Sequence, residues 1–226
     1  MARTLDELQD RNDPGINLIR EWLAQVDGNA AEILAPERAL ADATLLQLQV
    51  TTRSLLGAVV YETGGVIVDD GLLRILGSGT ERSLLESNRS AGFITGKEDN
   101  GGVLLIADDV MGGLFALNGG GFGSGNPGEV FHLAADDLAW APLEVGYSDF
   151  LEWCLTGDLA MLYKPLAAFD AYKRRPRPPI NRSYSFYPFL WTKEGREGAH
   201  DVQVIAADES VQVRLELIRP LSNPST

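Results

Sequence analysis

Apolar residues recur at helical spacing near the N-terminus and gather into short runs further along. Ile16, Ile19, Trp22, Leu23 and Val26 follow Asp13-Pro14-Gly15, a pattern that predicts a helix opened by the proline and stopped at Gly28. Before it, Thr4 and Glu7 have the spacing of a capping box and predict a short first helix. After it, Pro36 opens a third helix through Ala39, Leu40, Ala43 and Leu45 toward Gln47.

The period then changes. Gly57-Ala-Val-Val-Tyr61, Val66-Ile-Val68 and Leu72-Leu-Arg-Ile-Leu76 are apolar runs punctuated by Gly64-Gly65 and Asp70-Gly71, which predicts strands joined by turns. Thr80 is placed to cap a helix over 81–87. Strands resume at Gly102-Val-Leu-Leu-Ile-Ala107, Gly113-Leu-Phe-Ala-Leu117 and Glu129-Val-Phe-His-Leu133. Tyr147-Ser148 then leads into a helix through Phe150, Leu151, Trp153, Cys154 and Leu155, stopped by Gly157. Helical character continues over 159–172 with a break at Pro165. The Pro/Arg stretch 173–179 is a candidate hinge, and 208–217 predicts a last helix. The whole reads as one α+β domain over 1–226, an antiparallel sheet with N-terminal and C-terminal helices packed on one face. Its parts are a helical 1–49, a sheet core at 50–145 and a helical and irregular 146–226.

Composition narrows the function classes. The chain has 226 residues, 45% hydrophobic and 23% charged, an ordinary globular balance. Its formal net charge of −13 disfavours nucleic acid and anionic membranes and suits a basic protein partner. No apolar run approaches the roughly 20 residues that span a bilayer. One cysteine forms no internal disulfide, and the N-terminus lacks a signal-peptide layout, so the expected location is cytoplasmic.

Few patterns carry chemistry. Residues 123–128, Gly-Ser-Gly-Asn-Pro-Gly, spell G-x-G-x-x-G, but a strand rather than a helix follows and Pro127 removes a backbone donor. The segment reads as a hairpin connection, not a nucleotide loop. Leu76-Gly-Ser-Gly-Thr80 has the better strand-to-helix context for an anion, yet reads more simply as a capped turn. The acid pairs Asp69-Asp70, Asp108-Asp109 and Asp136-Asp137 sit at strand ends, where Asp makes turns, and neighbours on a strand point to opposite faces. Cys154 lies in an apolar helix, with only His132 and His200 to activate it. No catalytic residue, metal site or cofactor is assigned. The aromatic run 184–191 packs as an edge segment, or lines a pocket or a dimer interface.

Several stretches resemble an uncharacterised bacterial family, DUF2625. They are Val50-Thr-Thr-Arg-Ser54, Gly57-Ala58, Tyr61-Glu-Thr-Gly-Gly65, Arg74-Ile-Leu-Gly-Ser-Gly79, Asn118-Gly-Gly120, Gly146-Tyr-Ser-Asp-Phe-Leu151 and Tyr187-Pro-Phe-Leu-Trp-Thr-Lys-Glu-Gly195. The layout from Gly102 to Trp153 also resembles, more loosely, the SUKH superfamily of α+β modules, which implies an immunity-like role in binding toxins. Two readings follow. The first is a non-catalytic protein-binding module whose surface uses Asp69, Asp70, Asp108, Asp109 and Asn118. The alternative is a small-ligand-binding protein or enzyme with a pocket near Tyr61, Glu62, Arg74, Tyr187 and Trp191, although Glu62 and Arg74 could simply pair across strands.

Overall fold

The structure, a computed structural model, describes residues 2–25, 28–96, 102–166, 169, 175–197 and 200–218. Seven strands form one antiparallel sheet in strict chain order: β1 (Ala31–Leu34), β2 (Gly65–Val68), β3 (Leu73–Leu76), β4 (Val103–Asp109), β5 (Leu114–Asn118), β6 (Glu129–Leu133) and β7 (Ala141–Gly146). Strands β2 to β6 fall on the runs predicted from the sequence. The edges β1 and β7 do not. β1 is four residues long with both central side chains exposed, inside the stretch read as helical, and β7 is mostly solvated and contains Pro142, so neither shows an apolar run.

Opposed residues share a face, so the ladder sets Glu32, Ile67, Arg74, Asp108, Leu114 and Leu133 in one row across the sheet. A bulge interrupts β4 between Leu105 and Ala107. The buried Asn88 side chain compensates there, accepting from the Leu105 N–H at 2.7 Å and donating to the Leu105 carbonyl at 2.8 Å.

The expectation of helices on one face only is corrected: the two faces are covered by different layers. Phe115, opposite in sense to the Arg74 row, meets Phe150 of α6 (Tyr147–Thr156) at 5.1 Å between ring centroids, with α2 (Ile16–Leu23) and α4 (Leu55–Glu62) completing that layer. The Arg74 face is covered by a second, two-stranded sheet, β8 (Arg182–Tyr187) with β9 (Asp201–Ala206), and by α9 (Ala207–Ile218). The Tyr184 N–H donates to the Val110 carbonyl at 2.9 Å and ties the small sheet to the large one.

α4 corrects the strand predicted at 57–61. Ser54 caps it, its hydroxyl accepting from the Gly57 N–H at 3.1 Å, and Leu55 through Val60 are all buried. An apolar run buried all round has no periodicity to separate helix from strand. Likewise α5 (Leu84–Ser90) starts later than predicted, because Ser83 rather than Thr80 caps it. The short α1 (Leu5–Leu8) carries its capping box, α3 spans Arg38–Leu48, and α7 (Ala160–Tyr163) and α8 (Lys193–Glu197) are brief. Val26 and residues 167–168, 170–174 and 219–226 lie outside the described residues, so the 173–179 stretch is described only from Arg175. No helix among the described residues is long and apolar enough to cross a membrane.

Candidate functional site

Arg74 is an arginine inside an apolar strand, and the ladder places Asp108 directly opposite it. The pair is bidentate, Nε to Oδ1 at 2.9 Å and Nη2 to Oδ2 at 2.8 Å, and both side chains are buried. Every nitrogen of Arg74 has an acceptor. Nη2 reaches the Asp109 carbonyl at 3.0 Å and the Ser183 hydroxyl at 2.6 Å, and Nη1 donates to the Arg182 carbonyl. Burial pushes the guanidinium pKa down and Asp108 pulls it back, a balance that favours the charged pair only because the geometry is complete.

Arg82, in the turn before α5, joins the same carboxylate. Its Nη1 lies 2.7 Å from Asp108 Oδ2, and its Nε lies 3.1 Å from Oδ1 of Asp208 at the start of α9, which also accepts from Ser87 at 2.8 Å. The third nitrogen differs. Arg82 Nη2 is buried and has no hydrogen-bond partner among the described residues, although the side chain is 1% exposed.

Above these arginines lies a cleft of about 380 Å³. Arg74 and Arg82 line it, with Glu32, Asp70 and Glu81, and the 178–180 segment closes one side. Two backbone segments approach so closely here that they require glycine: a Cβ on Gly79 would lie 2.6 Å from the Gly64 carbonyl oxygen. Asp69 and Asp70 both take the left-handed conformation, φ 48° and 54°, that makes the turn between β2 and β3. The turn role expected for that pair holds, and it leaves the exposed Asp70 side chain on the cleft wall.

Asp109, next along β4, serves the turn beyond. Its Oδ1 accepts from the N–H groups of Met111 and Gly113, each at 2.8 Å. Burial pushes its carboxyl up to about 6, against the pull of those two donors. On that face His132 stacks on Phe115 at 4.4 Å between ring centroids, and burial together with the Arg214 charge lowers its pKa to about 4. Cys154 is fully buried and its thiol is pushed well up by burial, an inert environment for a nucleophile.

The family match covers residues 5–209 and is to "Protein of unknown function DUF2625". The chain belongs to the DUF2625 family. The uncharacterized protein YbfG of Escherichia coli K12 is 38% identical over 217 residues, covering 95% of this chain and 97% of that protein. An uncharacterized protein of Haemophilus influenzae is 38% identical over 167 residues, 73% and 72% of the two chains.

In this DUF2625 chain the pocket expected near Tyr61, Arg74 and Trp191 is not one site. Arg74 lines the cleft above. Trp191 lines another cleft with Arg214, and stacks on Phe189 at 4.4 Å. Tyr61 lies elsewhere, its hydroxyl accepting from Gln9 at 2.7 Å and its ring beneath the Arg38 guanidinium. Glu62 sits on a helix rather than a strand and pairs with Arg38 at 3.7 Å, so its cross-strand pairing with Arg74 gives way to Asp108. Tyr187 is 69% exposed. Asn118 is buried and ties down the β5–β6 connection, donating to the Ser124 and Asn126 carbonyls at 3.2 Å and accepting from the Gly120 N–H at 2.7 Å. That connection is the hairpin link expected. Among the described residues no group of three His, Cys, Asp or Glu side chains could hold a metal ion.

Sequence reasoning passed over Arg82, Arg214, Asp208 and Asn88. Arg214 alone left a legible signal, because it occupies a position in the stripe Ala207, Val211, Arg214, Ile218 that an amphipathic helix turns inward.

Proposed function

We propose that the chain is a small-molecule-binding protein whose ligand is a zwitterion of amino-acid type, seated in the cleft above Arg74 and Arg82. The observation that carries this reading is Arg82 Nη2, a buried guanidinium donor with no partner among the described residues. A buried donor left unmade costs about 1–3 kcal/mol, so a carboxylate that accepts from it is favoured where water and protein supply no partner. The exposed acids Glu32, Asp70 and Glu81 stand on the same cleft wall and suit an ammonium group. The volume of about 380 Å³ is at the small end of ligand sites.

Titration calorimetry and thermal shift with the common amino acids, their carboxamides and their deaminated acids test this. A matching amino acid is expected to bind and raise the melting temperature. Its carboxamide is expected to bind at least about tenfold more weakly, and Arg82→Lys to lose the response. A flat response to every amino acid overturns the reading.

A second reading, the acidic immunity-like module for a basic protein partner, is supported by the net charge of −13 and by the exposed Tyr187 and Val204 of the small sheet. The same exposed Tyr187 supports self-association. Capture of a basic partner that weakens with added salt would favour it, and an empty capture with a monomeric elution would remove it.

A further inference from the structure

A second buried arginine stands in a different situation. Arg214, on α9, is 3% exposed. Its Nη2 donates to the Ala134 carbonyl at 2.7 Å and to the Asp137 carbonyl, and its guanidinium lies over the Trp191 ring at 4.5 Å. Its Nε and Nη1 are buried with no hydrogen-bond partner among the described residues. No described carboxylate lies within ion-pair distance of it; Asp109, Asp137 and Asp136 act on it only at longer range. Burial lowers its pKa to about 10, which still leaves it protonated at neutral pH. A cation so placed has two carbonyl oxygens and a ring face in place of a counter-ion, which repay only part of its desolvation.

Arg214 forms part of the wall of a cleft of about 270 Å³ between the small sheet and α9. The rest of that wall is mainly apolar, with Tyr184, Phe186, Trp191, Ile205 and Val213. Ser210 and Gln203 add neutral polar groups, and Glu209, the one acid in the wall, is exposed. A recess with an apolar lining and one uncompensated cation is complementary to an apolar body carrying a single negative group.

We infer that this cleft is a second binding site, taking the carboxylate of a small apolar acid on Arg214. One carboxylate oxygen accepts from the unpartnered Nε or Nη1 of Arg214, Nη2 staying with its two carbonyls, and the hydrocarbon part of the acid replaces water against Phe186, Ile205 and Val213. The inference is independent of the zwitterion cleft, because it uses a different arginine and a wall that cleft does not share.

The test is calorimetric titration of the full chain with phenylacetate and hexanoate, beside the uncharged isosteres phenylacetamide and hexanamide. At least one acid is expected to bind saturably, and its amide at least about tenfold more weakly. Arg214→Lys keeps the charge but removes the Nε and Nη1 donors, and is expected to weaken the acid at least about tenfold. Val213→Trp fills the cleft while leaving Arg214 in place, and is expected to abolish binding without lowering the melting temperature. It keeps the test informative if the lysine variant fails to fold. Arg82→Lys is expected to leave acid binding unchanged, which separates this site from the zwitterion cleft. Equal binding of acid and amide, binding that survives Val213→Trp, or no binding of either acid at millimolar concentration overturns the inference.

Discussion

Arg74 and Arg214 are both buried guanidinium groups, yet the fold treats them in opposite ways. Arg74 faces a carboxylate in ladder register, and every nitrogen has an acceptor. Arg214 has two carbonyls and an aromatic face, and two of its nitrogens have no partner among the described residues. The difference follows from the elements that carry them. A strand in a sheet presents its side chain to a neighbour fixed by backbone pairing, so an acid opposite is held in place without its own anchors. A helix laid over the sheet offers no such register, and its inward arginine meets whatever the opposing loop supplies, here the carbonyls of residues 134 and 137.

The sharpest way to break this comparison is at Asp108. Asp108→Asn removes the charge shared by Arg74 and Arg82 with little change of shape. It is expected to cost about 3–5 kcal/mol, read as a loss of denaturant midpoint. A loss below about 1 kcal/mol would mean that the carbonyls and Ser183 suffice for Arg74, as similar groups do for Arg214.

The next effect is in pH. Asp109 is raised to about 6, so its contribution is fully present below about pH 4 and is lost as pH rises through 6. His132 is lowered to about 4, so its contribution is present above about pH 6.5 and is lost as pH falls through 4. The two slopes oppose one another in the same window, each worth about 3 kcal/mol by the shift. Relative to the parent chain, Asp109→Asn is expected to lose stability toward pH 4.5, and His132→Phe to gain it. Urea midpoints at pH 4.5 and 7 for the three proteins read both slopes.

Smaller still, Arg214→Met in the ligand-free chain is expected to leave stability within about 1 kcal/mol of the parent, since it removes an unpaired charge along with its ring contact. Arg74→Met, which deprives Asp108 of its bidentate partner, is expected to cost several times more. Smallest is the exposed pair Arg38–Glu62, where Glu62→Gln is expected to change the unfolding free energy by no more than about 0.5 kcal/mol.

The contrast also explains what could be read from the chain beforehand. Strands β2 to β6 are apolar runs between turn residues, and α2, α6 and α9 show their faces as period or caps, so these were legible. The helix 55–62 was not, because burial on every side erased its period. The edges β1 and β7 were not, because an edge strand has no apolar run to display. At the site, Arg74 was visible as a charge inside an apolar strand, and the turn role of Asp69, Asp70 and Asp109 followed from the residue type, whereas Asp108, expected in a turn, stays in β4 and pairs with Arg74. Arg82 was invisible, since it lies in a turn where arginine is ordinary, and only the fold brings Asp108 and Asp208 to it. The pocket expected near Tyr61, Arg74 and Trp191 came apart because sequence proximity to glycines and aromatics says nothing about which face of a sheet each residue takes.

The chain-order pairing of the large sheet has a kinetic consequence. Each strand from β2 to β6 hydrogen-bonds to its predecessor and its successor, and each edge strand to its one chain neighbour, with no crossover. A chain emerging from the ribosome therefore makes each new strand when its partner is already outside, and no pairing waits for a distant segment. The two long excursions, between β1 and β2 and between β3 and β4, add little delay, because closure entropy grows only with the logarithm of loop length. Such a sheet belongs at the fast-folding end of β architectures, where local closures succeed one another and unpaired edges are short-lived.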